Sequence, residues 1–281
     1  MSEYLRPSTL PEALQALSHG GFRTIAGCTD VFPATENKGL IGKVIDITNI
    51  DSLRGISIDK DGLWIGATTT WTDLICAKLP ESLAGLKLAA REVGAQQIQN
   101  RGTLGGNLCN ASPAADGVPP LLTLDAQVEL CSIRGVRQLP VSDFIQGARK
   151  IDLMRDEILT RIFVPKHALQ GSGHFRKLGA RKYLVISIAM TAARIELKDG
   201  LISRAAIAVG SCGPMATRLP LLERALIGQN PSDPARVSKD FLTDLSPIAD
   251  IRADAEYRLT SVLELVRRMI AEVATQVPKV A

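Results

Sequence analysis

Two glycine-bearing stretches contain the residues with the clearest potential for chemistry. Residues 24–30 read TIAGCTD, and residues 101–116 read RGTLGGNLCNASPAAD. Glycine lets the backbone approach a ligand without a Cβ clash, and successive amide N–H groups in a turn form an anion-binding nest. The threonines and asparagines add neutral hydrogen-bond donors. Together these residue types are suited to binding a phosphate or diphosphate group through backbone amides rather than through lysine.

Neither stretch matches a common phosphate-binding motif. There is no G-K-[ST] of a Walker A loop and no G-x-G-x-x-G of a dinucleotide-binding fold. Either stretch alone is better explained as an ordinary tight turn. Their occurrence on one chain, with Gly27 and Gly102 separated by 75 positions, favours two loops that hold one nucleotide diphosphate from both sides.

The cysteine and histidine spacing argues against a metal site. There is no C-x-x-C pair, no zinc-ribbon pattern and no iron–sulfur spacing. An odd number of cysteines in a cytoplasmic chain indicates reduced thiols, most of them packed in the core. Any redox chemistry would therefore use an organic cofactor, and no side chain is predicted to be catalytic. The residues concerned are Cys28, Cys76, Cys109, Cys131, Cys212, His19, His167 and His174.

Composition narrows the class of protein further. The chain has 281 residues, of which 46% are hydrophobic, so it can bury one or more sizeable cores. Aromatic residues make up only 4%, and the 33 basic and 29 acidic residues are dispersed, which argues against nucleic-acid binding. The first residues, MSEYLRPSTLPEAL, lack the apolar region of a signal peptide, and the apolar run within Leu184–Ala193 is too short to span a membrane. We therefore expect a cytoplasmic protein.

The elements around the two stretches predict that both lie on loops. Thr9–Glu12 is a capping box that starts a helix, and Arg23–Ala26 predicts a strand that runs directly into the first stretch. Residues 101–116 show neither helical nor strand periodicity. Consecutive hairpins indicate antiparallel sheets rather than a doubly wound fold. Hairpin turns are predicted at Asp61-Gly62, Arg134-Gly135 and Lys198–Gly200.

The pattern of predicted strands and helices changes in the second half of the chain. The small residues 171–173 (GSG) predict a boundary between a first domain, 1–170, and a second domain, 171–281. The first would divide into subdomains of about 1–55 and 56–170. The apolar stripe from Leu259 to Val273 predicts a long terminal helix, whose stripe either packs in the core or binds a partner. Further helices are predicted at Ala216–Ile227 and Pro234–Leu245.

The two stretches resemble the loops of a known family. TIAGCTD is similar to the A-G-G-T-D loop of the flavin-binding medium subunits of molybdenum hydroxylases, and TLGGNLCNASPAAD resembles their second loop, T-x-G-G-N-x-x-x-x-S-P-x-x-D. The resemblance continues through EILTRIFVP, HFRKLGARK and RADAEYRLTSVLELVRR, and so covers essentially the whole chain. The family includes xanthine dehydrogenases, carbon monoxide dehydrogenase, aldehyde oxidoreductases and N-heteroaromatic hydroxylases. The N-L-C-N sequence is most similar to the bacterial xanthine dehydrogenase type.

This resemblance implies a fold and a set of FAD contacts. The fold is α+β: two subdomains of vanillyl-alcohol-oxidase type clasp FAD, and a C-terminal domain follows with an antiparallel sheet and helices. The implied contacts in the first loop are Ile25, Ala26, Gly27, Cys28, Thr29, Asp30 and Val31. Those in and before the second loop are Val93, Gly94, Thr103, Gly105, Gly106, Asn107, Asn110 and Asp116. Ile158 and Leu159 would pack on the isoalloxazine, and Lys177 or Arg176 would lie near its polar edge.

The sequence departs from the family pattern at three places. Cys28 replaces the second glycine of the first loop, and a positive φ there would cost roughly 1 kcal/mol or more. Ala115 replaces the polar residue that often precedes the loop aspartate, Asp116. The cysteines that bind an additional iron–sulfur cluster in one branch of the family are absent.

The function implied by the resemblance is electron transfer within a heterotrimer. A large partner subunit would hold the molybdenum cofactor, a small partner would hold two [2Fe–2S] clusters, and non-covalently bound FAD in this chain would pass electrons to NAD+. The implied assembly is a dimer of heterotrimers. A xanthine or other N-heteroaromatic substrate is favoured, with an aldehyde or carbon monoxide dehydrogenase as the alternative. The residues are also compatible with a non-catalytic nucleotide-binding scaffold or a stand-alone FAD oxidase. In this family the substrate is chosen in a different chain, so the sequence leaves substrate, acceptor and oligomeric state open.

Overall fold

The N-terminal part of the chain forms a three-stranded parallel sheet with one helix. The computed structural model describes residues 3–35, 42–233 and 237–276. The sheet order is β1-β3-β2, and both pairs are parallel. As predicted, Thr9 and Glu12 form a capping box at the start of the helix. The elements are β1 (Glu3–Leu5), α1 (Leu10–Ser18), β2 (Phe22–Ile25) and β3 (Lys43–Asp46).

The second part is an antiparallel five-stranded sheet with short helices packed against it. Its strand order is β4-β5-β10-β6-β7, so the late strand β10 inserts between two earlier hairpins. The strands are β4 (Ile56–Ile58), β5 (Gly62–Gly66), β6 (Gln127–Ser132), β7 (Gly135–Pro140) and β10 (Ile158–Pro165), with the small pair β8 (Ile145–Gly147) and β9 (Lys150–Ile151) beside them. The helices are α2 (Trp71–Cys76), α3 (Ala84–Glu92), α4 (Gln96–Gln99), α5 (Leu104–Asn110), α6 (Val118–Thr123) and α7 (Val141–Phe144).

The third part is a four-stranded antiparallel sheet covered by a long helix. The order is β11-β12-β13-β14, and the apolar side of the final helix packs on the sheet through Val262, Val266 and Ile270. Of the two roles considered for the apolar stripe, core packing is therefore the one observed. The elements are β11 (Ser172–Leu178), β12 (Ala189–Lys198), β13 (Leu201–Gly210), β14 (Thr217–Arg218), α8 (Pro220–Leu226) and α9 (Ala255–Gln276).

Buried apolar contacts join these three parts. Ile158 of β10 is completely buried in the N-terminal core, against residues such as Ile45 and Leu53. Ala89 of α3 packs with Phe175 of β11 in a small core that connects the second part to the third. The three parts thus share buried apolar surface where they meet, and that burial fixes the walls of the cleft described below.

Several predictions of local structure are confirmed, and others are wrong. The three hairpin turns lie where they were predicted, and the overall class is α+β. The N-terminal sheet, however, is parallel: α1 connects the two edge strands β1 and β2, and both run parallel to the central strand β3. Residues 101–116 were predicted to be a loop, but they include α5. The described part of Pro234–Leu245 contains only the short 3-10 helix Lys239–Leu242, and 234–236 lie outside the described residues.

Candidate functional site

The first glycine loop packs directly against the second. A Cβ atom on Gly27 would overlap the carbonyl oxygen of Arg101 and lie 3.0 Å from the α-carbon of Gly102. Glycine is therefore required at position 27 by the approach of two backbones. The next residue, Cys28, has a φ of 59°, in the left-handed region, and it stands where the A-G-G-T-D motif that this loop resembles has its second glycine. Strand β2 ends at Ile25, and this turn follows it directly at the edge of the cleft.

Backbone amides in the first loop are available to a ligand. The N–H groups of Gly27, Cys28, Thr29 and Asp30 donate to no acceptor among the described residues, whereas the amides of Val31 and the residue after it both bond the Cys28 carbonyl. Consecutive free amides that follow a strand form the kind of nest that binds an anion. This is the donor set that the sequence predicted for a diphosphate.

The second loop is organised differently from the prediction. Thr103 caps α5 by accepting the Gly106 amide at 3.0 Å, and the Asn107 amide bonds the Thr103 carbonyl. The amides of Leu104 and Gly105 bond the carbonyl oxygens of residues 69 and 67. All four amides of the first helical turn therefore have protein partners. What this loop offers a ligand is the bare, exposed backbone of Gly106 and the polar side chains around it.

The two loops line a main cavity of about 550 Å³, which is in the size range of ligand sites. Fifteen of the eighteen residues proposed from the sequence lie on its wall. They are Ile25, Ala26, Gly27, Cys28, Thr29, Asp30, Val31, Val93, Gly94, Thr103, Gly106, Asn107, Asn110, Asp116 and Lys177. The structure thus brings together residues from β2, α5, β11 and the chain after α3.

A second, smaller cavity of about 320 Å³ contains the other three proposed residues, Gly105, Ile158 and Leu159. Its wall is mostly apolar. Neither Asp116 nor Lys177 lines it. The two cavities have five wall residues in common: Thr24, Ile25, Ala26, Gly106 and Cys109. They are therefore adjacent compartments that meet at the two glycine loops.

A buried ion pair forms the polar end of the main cavity. The Lys177 Nζ atom donates to Asp116 Oδ2 at 2.7 Å, and the two side chains are 5% and 8% exposed. Lys177 also donates, at 3.2 Å, to the carbonyl oxygen of Glu92, the last residue of α3. Ser187 Oγ donates to Asp116 Oδ1 at 2.7 Å. Burial raises the pKa of Asp116, while the charge and hydrogen bond of Lys177 and the hydroxyl of Ser187 act in the opposite direction.

The structure distinguishes between the two basic residues proposed from the sequence for this end. Lys177 lines the cavity, whereas its neighbour Arg176 forms a bidentate pair with Glu272 of α9. Adjacent residues on a strand point to opposite faces, so only one of the two can reach the cavity.

Sequence reasoning missed several residues of the main cavity. Arg149 reaches its rim from beyond β8, where its guanidinium bonds the carbonyl and side-chain oxygens of Asn110. No spacing rule connects positions so far apart. The segment Leu184–Ile186 follows the HFRKLGARK motif closely enough to have been suspected. The other unpredicted wall residues include Arg23, Thr24, Trp71, Ile98, Gly102, Cys109, Ser112 and Ala114.

The thiols in and near the cleft are poor nucleophiles. Burial raises the pKa of Cys28 and raises that of Cys109 to about 12, so both are protonated near neutral pH. All five cysteines are free, and Cys76 is the exposed one. Among the described residues, no group of three or more His, Cys, Asp or Glu side chains is arranged to hold a metal ion.

Comparison with known families assigns most of the chain. Residues 1–167 match the FAD binding domain in molybdopterin dehydrogenase, and residues 174–273 match the CO dehydrogenase flavoprotein C-terminal domain. The chain belongs to the flavin-binding medium subunits of the molybdenum hydroxylases. It is therefore an oxidoreductase subunit with FAD as its cofactor, and the resemblance inferred from the glycine loops is confirmed.

Individual relatives agree with this family assignment. The chain is 33% identical to a xanthine dehydrogenase FAD-binding subunit of Escherichia coli O157:H7, over 96% of this chain and 95% of that protein. It is 34% identical to the nicotinate dehydrogenase FAD-subunit of Eubacterium barkeri, over 80% and 79% of the two chains.

Solved structures show the same fold. A chain of carbon monoxide dehydrogenase from Hydrogenophaga pseudoflava superposes with a TM-score of 0.89 at 28% identity, covering 97% of this chain and 96% of that one. A chain of quinoline 2-oxidoreductase from Pseudomonas putida 86 gives a TM-score of 0.88 at 26% identity, covering 98% and 97%. Within the described part of this chain, no helix has the length and apolar character needed to cross a membrane.

Proposed function

We propose that this chain is the electron-output subunit of a heterotrimeric molybdenum hydroxylase. Its FAD would receive electrons from two [2Fe–2S] clusters in a small partner and supply hydride to NAD+, while a large partner with a molybdenum cofactor oxidises the substrate. The observation that carries the proposal is the pair of glycine loops in backbone contact at Gly27 and Arg101, with the four amides of 27–30 open to one cavity.

The free amides of the first loop would bind the diphosphate. Four N–H groups after β2, which have no acceptor among the described residues, would supply positive potential without a lysine, and Gly106 on the cavity wall would leave room for the phosphates. The side chain of Asn107 accepts the Gly117 amide through Oδ1, which leaves its NH₂ group to donate. The second loop would therefore contribute side-chain donors and space, and the first loop would contribute the backbone nest.

The two compartments suit the two ring systems of FAD. The isoalloxazine has a polar edge that accepts hydrogen bonds, and Lys177 offers a donor at the polar end of the main cavity. Adenine is smaller, and the second cavity is smaller and largely apolar. We accordingly assign Ile158 and Leu159 to the adenine rather than to the isoalloxazine, since neither residue lines the cavity that contains Lys177.

The chain's own residues provide binding and orientation rather than acid–base chemistry. The FAD carries out the redox chemistry, and the protein positions it and adjusts its electrostatic surroundings. Asp116 and Lys177 are the charged pair in contact with the cavity interior, and they are mutually neutralised. We also propose that the chain divides into an FAD-binding domain, 1–170, and a C-terminal domain, 171–281. The cleft would lie where subdomains 1–55 and 56–170 meet the start of the second domain.

A xanthine-type or other N-heteroaromatic substrate is favoured for the complex by its relatives. A xanthine dehydrogenase FAD-binding subunit and a nicotinate dehydrogenase FAD-subunit are both similar to this chain at more than 30% identity. A medium chain of carbon monoxide dehydrogenase is 27% identical over 95% of both chains. We propose a cytoplasmic dimer of heterotrimers as the working assembly.

The test is to express the chain from its native operon and to measure co-purification and electron transfer. The tagged chain should co-purify with one polypeptide containing molybdenum and one containing iron and labile sulfide, and the complex should form NADH when given xanthine or nicotinate. The isolated chain should bind FAD and contain neither metal. Purification as a single-chain enzyme active on an organic substrate would contradict the subunit role, and absence of flavin from the purified complex would contradict the cofactor assignment.

A further inference from the structure

Ser187 belongs to neither glycine loop, yet it is joined to the polar end of the main cavity. It lies in the connection between β11 and β12, is 2% exposed, and its hydroxyl donates to Asp116 Oδ1 at 2.7 Å. The residue before it, Ile186, lines the cavity, whereas Ser187 itself does not. Its partner is thus a carboxylate in the site rather than a ligand.

Asp116 is held by both of its oxygen atoms. Oδ1 accepts from Ser187 and Oδ2 accepts from Lys177, each at 2.7 Å. A carboxylate that is bonded at both oxygens cannot rotate without breaking one hydrogen bond, and breaking a hydrogen bond in a buried ion pair is costly. The serine hydroxyl therefore fixes the plane of the carboxylate to which the ammonium is bonded.

The Lys177 ammonium has three hydrogens to donate, and two of them are used. One bonds Asp116 and one bonds the Glu92 carbonyl, which leaves one N–H without an acceptor among the described residues. Lys177 lines the main cavity, so this remaining donor is available to a ligand. Its direction depends on where Asp116 holds the ammonium.

We propose that Ser187 is a positioning residue for the flavin: through Asp116 it sets the location of the Lys177 ammonium at the isoalloxazine end of the cavity. This inference rests on the proposed function. It adds a residue outside both glycine loops, and it connects the Leu184–Ile186 wall to the flavin through one hydroxyl–carboxylate–ammonium chain.

The charge state of Asp116 depends on few groups. From β11 the facing charge is Lys177, which also donates to the Glu92 carbonyl, and from the β11–β12 connection the facing group is the Ser187 hydroxyl. The ionised carboxylate gains from the Ser187 hydrogen bond, and the protonated acid gains from burial. The other ionisable wall residues are Arg23, Cys28, Asp30, Cys109 and Arg149, and none is hydrogen-bonded to Asp116.

The first experiment measures FAD and ADP affinity for Ser187→Ala. ADP has the diphosphate and adenine but no flavin. We expect about tenfold weaker FAD binding, because one hydrogen bond to a charged group is lost, and ADP binding unchanged within about twofold. Ser187→Thr, which keeps the hydroxyl, should restore the FAD affinity. Equal losses of FAD and ADP affinity would overturn the proposal, and so would unchanged FAD affinity.

Ser82 provides a matched control. It is also 2% exposed, but its hydroxyl has no hydrogen-bond partner in the described structure, and it does not line either cavity. Ser82→Ala should leave FAD affinity unchanged. In an Asp116→Asn background, Ser187→Ala should cause no further loss, because its effect passes through the carboxylate. An undiminished loss in that background would overturn the positioning role.

The second experiment is independent of flavin. The carboxyl ¹³C shift of Asp116 in the apoprotein, followed against pH, should titrate at higher pH in Ser187→Ala, with about a tenfold or larger gain in proton affinity. An identical titration in both proteins would overturn the proposal. Ser187→Cys fills the same space with a weaker donor and should give an intermediate shift if the alanine variant does not fold. If the wild-type chain binds no FAD, the proposed function fails, while this titration still tests the Ser187–Asp116 hydrogen bond on which the positioning role depends.

Discussion

Gly27 and the carbonyl group of Arg101 approach so closely that no side chain fits between them. A Cβ atom on Gly27 would overlap the carbonyl oxygen and lie 2.6 Å from the carbonyl carbon. This contact is where the two glycine loops meet, and both loops line the main cavity. The width of the cleft at the proposed diphosphate site is therefore determined by backbone packed against backbone.

Gly27→Ala should destabilise the protein and weaken FAD binding together. The φ of Gly27 lies outside the left-handed region, so the cost comes from the clash alone, and we expect about 1–3 kcal/mol in the free energy of unfolding. Urea unfolding of the apoprotein and FAD titration measure the two effects. Gly213→Ala is the control, because the nearest atom to its added Cβ is 3.5 Å away. Equal stability of the two variants would show that the loops can separate freely.

Cys28→Gly should retain FAD binding and electron transfer and should be slightly more stable. The φ of 59° strains any residue with a Cβ, so glycine relieves up to about 1 kcal/mol, partly offset by the greater entropy of the unfolded chain. Cys28→Ala keeps the strain and removes only the thiol. Thermal unfolding of both variants separates strain from sulfur chemistry. A loss of about tenfold in NAD+ reduction in both variants, with FAD fully bound, would assign a role to the thiol.

Gly106→Val should weaken FAD binding more than it weakens folding. Gly106 is exposed in the apoprotein and lies on the wall where the two compartments meet, so a branched side chain would occupy space proposed for the diphosphate. We expect a loss of several kcal/mol in FAD binding, of the order found when a polar group loses its partners. The Cβ of Gly106→Ala would meet only the Thr103 hydroxyl. Its FAD affinity should lie between those of the wild type and Gly106→Val. Full FAD occupancy in purified Gly106→Val would show that this loop is misplaced.

Glu157 should make the protein sensitive to acid. The hydrogen bonds of Arg137, followed by that of the Met154 amide, hold the pKa of Glu157 below its ordinary 4.5. A carboxyl with a lowered folded-state pKa stabilises the protein above its unfolded-state pKa, and that stability is lost as pH falls through the folded-state value. The carboxylate form should therefore contribute fully near neutral pH and progressively less below about pH 4.5.

Glu157→Gln should remove this pH dependence. We expect about 1–2 kcal/mol lower unfolding free energy at neutral pH, since Arg137 is a third exposed and solvent screens the pair. The difference from wild type should shrink as pH falls, which urea unfolding at several pH values measures. Glu264→Gln, at an exposed pair with Arg268, should leave stability nearly unchanged. A constant difference at all pH values would contradict the assigned charge.

Local structure that depends on local rules could be predicted from the sequence. The capping box at Thr9 and the hairpin at Asp61-Gly62 need only neighbouring residues, and both form as expected. Helix α5 could not be predicted, because its sequence LGGNLCN has poor helix formers. Thr103 and the long-range hydrogen bond from the Gly105 amide to the Ala67 carbonyl stabilise it instead. Strand β11 was also missed, since its edge position gives no continuous apolar pattern.

The residues of the candidate site also separate into those that local sequence predicts and those that only the folded structure reveals. The glycine loops could be found because glycine spacing and family motifs act within a few residues. Arg149 and Ser187 could not, because each reaches its partner from a distant part of the chain, and only the folded structure brings them to Asn110 and Asp116. The choice between Lys177 and its neighbour needed the alternation of strand β11, which the sequence had not revealed as a strand.

The burial of Ile158 in the N-terminal core has a consequence for biosynthesis. Residues of α1 and β3 leave the ribosome long before Ile158, yet their core lacks one wall until that residue arrives. The same strand, β10, also completes the central sheet between β5 and β6 and supplies Leu159 to the second cavity. Emergence of this single strand thus completes the N-terminal core, the central sheet and one wall of the cleft. A nascent chain that stops before this strand would expose apolar surface for chaperones to shield.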